Sequence, residues 1–181
     1  MTRTDNLWTG FLPQWVIANA FGWLLYAFVE ALPFGYISFS IGVGLFIGCV
    51  QWIVLRKHMR VDSMWIWAST VVYAAYIFSF GVLVNGSFGK LLFLTVIILG
   101  LMGLLQRYVL DYYVNQSVLW VFVSCIAGIV SFIFVLIFEN ILLVERSLPV
   151  IWAIYGIIYG SITGVALTFL YTKTMNKKTL Q

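Results

Sequence analysis

Five polar side chains lie inside long apolar runs at spacings that let them meet: Asn19, Gln51, Ser69, Gln106 and Ser124. Amides and hydroxyls of this kind carry no charge at neutral pH. They hydrogen-bond neutral partners, either one another across helices or a neutral ligand. Acid–base, nucleophilic and metal chemistry need groups this chain does not bring together. His58 is the single histidine, and it sits among Arg56, Lys57 and Arg60. One histidine gives no pair of axial ligands, and no His/Cys/carboxylate group has zinc spacing. Cys49 and Cys125 stand alone in apolar runs and read as small buried hydrophobes. No serine has a base at its own depth, and GxSxG, HExxH and the Walker lysine loop are absent from the sequence. Neither catalysis nor a cofactor is expected. Glu30 and Glu139 fall near helix ends, close enough to an interface to stay wet, with Asn140 and Arg146 as available partners.

The elements that must position these residues are membrane helices. The chain is 63% hydrophobic and 9% charged, where a soluble domain carries about 25% charge. Six apolar segments approach the ~20 residues that span a bilayer: roughly 12–32, 35–55, 63–84, 91–110, 118–138 and 149–171. Pro33 and Gly35, the Arg56–Asp62 stretch, Asn85-Gly86, Asp111 with Asn115-Gln116, and Pro149 punctuate them. The expected fold is all-α, with six transmembrane helices joined by short loops in a single domain over 1–181. The first apolar run reads as a retained helix and not a cleaved signal peptide. Arg3, Arg56, Lys57, Arg60, Arg107, Lys173, Lys177 and Lys178 fall on one side of this topology, against Lys90 and Arg146 on the other. That bias predicts a multi-pass cell-membrane protein with both termini cytoplasmic. The net charge of +4 is spread over loops and tail. It suits anionic lipid headgroups, and nucleic acid is not an expected partner.

An internal repeat organises the polar residues. Gln51 precedes Trp65 by the same interval as Gln106 precedes Trp120. Ser40, Gly44, Gly48, Gln51 and Leu55 align with Thr95, Leu99, Gly103, Gln106 and Leu110, and the sixth helix offers Gly156, Gly160, Gly164, Leu167 and Tyr171. In the odd helices, Trp15 and Asn19 match Trp65 and Ser69, then Trp120 and Ser124. The chain therefore reads as three parallel-repeat helix hairpins, about 12–62, 63–116 and 117–173. Small residues let helices approach closely in lipid. This predicts packing through Gly44, Gly48, Gly103, Gly156, Gly160 and Gly164, with the even helices converging on a common axis. Trp8, Trp15, Trp65, Trp67 and Trp120 are expected at the cytoplasmic interface. Asn19, Gln51, Ser69, Gln106 and Ser124 would form one polar layer roughly 6–8 Å deeper, asymmetric because Leu167 takes the third Gln position.

The run Gly44-x-x-x-Gly48-x-x-Gln51-Trp52-x-x-Leu55-Arg56, followed by Trp65-Ile-Trp67, resembles a loose group of small bacterial polytopic membrane proteins. The resemblance implies an architecture and no activity. Two functions fit the composition. The first is a membrane module that binds or passes a neutral or hydrophobic small molecule, with the polar layer as its candidate site. The alternative is a non-catalytic accessory or scaffold subunit that packs on other membrane subunits.

Overall fold

A backbone in an apolar medium must satisfy its own hydrogen bonds, so apolar runs of this length become helices. The computed structural model describes residues 7–30, 36–83, 88–142 and 148–179, with side chains over 7–28, 41–75, 93, 96–138 and 149–175. A π-helical turn, Leu7–Phe11, leads into α1 (Leu12–Glu30). There follow α2 (Tyr36–Met59), α3 (Met64–Leu83), α4 (Phe88–Leu110), α5 (Val118–Leu142) and α6 (Leu148–Thr179). Among the described residues, four helices are long and apolar enough to cross a membrane, over Leu7–Phe28, Ile41–Met59, Val118–Phe138 and Pro149–Met175. The shorter apolar stretches Met64–Ala75 and Val96–Leu110 belong to α3 and α4. The side chains of Glu30 and Glu139, with Asn140, Arg146 and Lys90, lie outside the described residues.

Helix ends differ most from the sequence expectation at α2 and α6. α2 continues to Met59, so Arg56, Lys57 and His58 occupy its last turn, where cations complement the helix dipole. His58 is not in a solvated loop: its ring packs edge-on against Phe11 and meets Gln14 Oε1 at 3.2 Å. The next helix starts on a cap, with Met64 N donating to Asp62 Oδ1 at 2.9 Å. α6 has 32 residues, roughly 48 Å at 1.5 Å per residue. Its last turns hold the α4–α5 connection: Asn115 N donates to Thr174 Oγ1 at 2.7 Å and Lys173 Nζ to Gln116 Oε1 at 2.9 Å.

Each helix packs on its neighbours in the chain, and α6 closes back onto α1, so the six form a ring. The even helices do not converge backbone to backbone: among the described residues, α2, α4 and α6 are not adjacent in the ring and meet only through side chains reaching its middle, such as Leu55, Leu110 and Leu167. Their glycines instead face the next helix round the ring. Gly44 and Gly48 lie on the α3 backbone at Thr70 and Ile66, and Gly103 lies on α5 at Val121. Gly156 and Gly160 lie on α1 at Ala20 and Val16, while Gly164 meets the side chains of Leu12 and Trp15. The physical reason is that absent side chains serve where two backbones touch. The middle of a six-helix ring is wide and needs large side chains to fill it.

Candidate functional site

Those large side chains are tryptophans. Trp15, Trp65 and Trp120 come from α1, α3 and α5, and their rings meet at centroid distances of 6.1, 6.5 and 5.9 Å. None is more than 1% exposed, so these rings point into the bundle and not outward, whatever their depth. Trp67, two residues past Trp65, does face outward at 60% exposure. A helix turns about 100° per residue, so only one of two such neighbours can point at the core. Phe11 stacks on Trp15, and Leu55, Leu110 and Leu167 are buried in the same cluster.

A buried indole N–H needs an acceptor. Trp65 Nε1 donates to Gln51 Oε1 at 3.1 Å, and Trp120 Nε1 donates to Gln106 Oε1 at 3.0 Å. The other end of each amide is also engaged. Gln51 Nε2 donates to Asn19 Oδ1 at 2.8 Å, and Gln106 Nε2 donates to Ser69 Oγ at 3.1 Å. Asn19 Nδ2 in turn donates to the Trp15 carbonyl at 2.8 Å. Each glutamine thus ties the helix before it to the helix after it. Asn19, Gln51, Ser69, Gln106 and Ser124 are all buried.

A third buried indole finds a different acceptor. Trp15 Nε1 donates to Thr163 Oγ1 at 3.0 Å, which stitches α1 to α6. Gly48 and Gly160 approach the residues after Trp65 and Trp15, and Gly103 approaches the residue after Trp120. In that register Thr163 stands where Gln51 and Gln106 stand, and Leu167 joins Leu55 and Leu110. The sequence alignment of α6 is therefore one turn out, because two Gly-x-x-x-Gly steps in succession fit equally well when shifted by four. A threonine is too short to reach across to Ser124. The Ser124 hydroxyl makes no bond of regular geometry, and a polar group beside it is the Tyr159 hydroxyl. The sequence signal for Thr163 was its place three residues after Gly160, as Gln51 follows Gly48 and Gln106 follows Gly103.

With both ends of each amide spent on the protein, the layer holds helices together. Replacing Gln51 by leucine removes two interhelical bonds and strands the Trp65 N–H. The expected loss is roughly 1–2 kcal/mol, read by denaturant titration in mixed micelles. A Gln51→Leu/Trp65→Phe double-mutant cycle should return a coupling of about 0.5–1.5 kcal/mol. A coupling of zero would show that the bond carries no stability.

Open space lies elsewhere, in a part of the bundle that the sequence reading did not single out. A cavity of about 20 Å³ is lined by Trp23, Val72, Tyr73, Ile98, Leu99, Met102 and Tyr155. It lies between α1, α3, α4 and α6 and does not touch Gln51 or Gln106. Aromatic rings surround Trp23: Tyr155 at 4.4 Å, Trp152 stacked at 5.4 Å, Tyr73 at 5.6 Å and Tyr26 at 5.7 Å. The signal in the sequence was the spacing of eight that separates Trp23 from Trp15 and Tyr73 from Trp65. That interval is two turns and about 80° more, which keeps both residues within a broad inward-facing stripe.

Known proteins add no identity to this geometry. Comparison with protein families, with curated proteins and with solved structures finds no match.

Proposed function

We propose that this chain is a six-helix cell-membrane protein, with both termini cytoplasmic, that binds a neutral or hydrophobic small molecule inside the bundle. The observation that carries this reading is the aromatic-lined cavity beside Trp23, which is distinct from the closed polar layer. Apolar side chains such as Ile17, Ile53, Val71, Phe93, Phe122 and Phe169 point outward and suit lipid contact. The eight-to-two bias of basic residues supports the orientation. The bundle is read as three helix hairpins in pseudo-threefold array. In support, one indole-to-side-chain bond recurs at Trp15, Trp65 and Trp120, and one glycine contact recurs at Gly48, Gly103 and Gly160. In this reading the tryptophan trio and the glutamine bonds close the cytoplasmic half, so the protein binds and does not conduct.

The test is purification from its membrane into lipid nanodiscs, followed by native mass spectrometry and organic extraction. The expected result is a neutral small molecule at near-stoichiometric occupancy, together with no solute flux in proteoliposomes. A stoichiometric membrane-protein partner and an empty bundle would favour the accessory-subunit reading instead.

A further inference from the structure

We infer that the cavity beside Trp23 is the binding site, and that it takes a planar, neutral molecule carrying a hydrogen-bond acceptor, such as an aryl ketone or a quinone. This inference rests on the small-molecule reading above and adds to it the place and the chemistry.

The acceptor follows from an unmade bond. Trp15, Trp65 and Trp120 all donate their indole N–H to a side-chain oxygen. Trp23 is 4% exposed and lines the cavity, yet its Nε1 has no partner. The stacked Trp152 has an unpartnered, buried Nε1 as well. A donor buried in apolar surroundings without an acceptor is costly, and a ligand carbonyl supplies what is missing. The neutral character follows from the lining, which contains no Arg, Lys, Asp, Glu or His. An ion placed there would lose its hydration with no counter-charge to replace it.

The planar shape follows from what stands at equivalent places on three helices. Eight residues after each central tryptophan come Trp23, Tyr73 and Gly128. Two of these positions carry aromatic rings and the third carries no side chain. Leu99 leans into that vacancy: a Cβ on Gly128 would lie 1.9 Å from Leu99 Cδ1. The cavity beside it, about 20 Å³, has room for a single water as it stands, so a ring enters only by moving Leu99 aside. The walls that limit it, Leu99, Ile98 and Met102, are aliphatic, and methionine adapts its shape readily. A ring displacing Leu99 would find Trp23, Tyr73 and Tyr155 around it and would stand in for the absent third aromatic group.

The probe is 4-bromoacetophenone, with bromobenzene as the control that lacks the acceptor. Both are titrated against the full chain in nanodiscs, and crystals soaked with each are searched for anomalous bromine density. The expected result is bromine between Trp23, Leu99 and Tyr155, with the ketone about fivefold tighter than bromobenzene. Trp23→Phe keeps a ring and removes the donor, so it should abolish that preference. Leu99→Ala should tighten both probes by enlarging the space. Bromine found elsewhere in the bundle, or a preference unchanged in Trp23→Phe, would overturn this site while leaving small-molecule binding standing. A water on Trp23 Nε1 with no bromine anywhere, in Leu99→Ala as in the natural chain, would overturn both.

Discussion

Replacing Trp65 by alanine is expected to destabilise the folded bundle by about 3–5 kcal/mol. The ring is fully buried and touches both Trp15 and Trp120, so its removal opens a void where α1, α3 and α5 meet through side chains. Neighbouring helices already touch along their length and cannot collapse to refill it. The loss also leaves Gln51 Oε1 without its donor. Trp65→Phe separates the two contributions: it retains most of the filling, loses the bond, and should cost about 1–2 kcal/mol. Trp67→Ala is the control, because that ring faces outward, and a change within about 0.5 kcal/mol is expected. Unfolding followed by circular dichroism in mixed micelles gives all three values. Equal losses at Trp65 and Trp67 would remove the central trio from the account of what holds the bundle.

The sequence made some of this legible and hid the rest for physical reasons. Apolar run length fixes where helices form, and the six segments match the observed helices to within a few residues at most ends. The recurrent Gln–Trp interval located two of the buried side-chain links between helices. The direction in which a face points was harder to read. A stripe of glycines looks the same whether it turns to the centre of a ring or to a neighbour's flank, and only the bulk of the tryptophans decides between them. The same ambiguity holds for Trp15, Trp65 and Trp120, since an indole suits either a wet boundary or a buried acceptor. Thr163 was hidden by chemistry: a hydroxyl replaces an amide as acceptor for Trp15, and residue-by-residue matching does not equate the two. The cavity was hidden because its lining comes from four helices, Trp23, Tyr73, Leu99 and Tyr155 among them, and no spacing along the chain shows which of these side chains leave a gap between them.

Gly156→Leu is expected to cost about 3 kcal/mol, at the upper end of what overpacking a well-filled contact does. The closure of the ring depends on α6 lying against α1. At Gly156 an added Cβ would stand 2.6 Å from the Asn19 carbonyl oxygen and 2.8 Å from Ala20 Cα. Both are backbone atoms, so no side-chain rotation relieves the clash and the helices must separate. That separation would lengthen the Trp15–Thr163 bond, a link seven residues further along α6. Gly156→Ala should already show much of the loss, because the first carbon makes the clash. Two other glycines calibrate the measurement. A Cβ at Gly42 meets nothing within 4 Å, and at Gly100 it meets only Cys125 Sγ at 3.8 Å. Alanine at either should leave thermal stability unchanged or raise it slightly, since glycine is the poorer helix former by about 1 kcal/mol. If Gly156→Ala behaved like Gly42→Ala, α6 would not rest on α1 backbone to backbone, and the closed ring would have to be redrawn as an open row of helices.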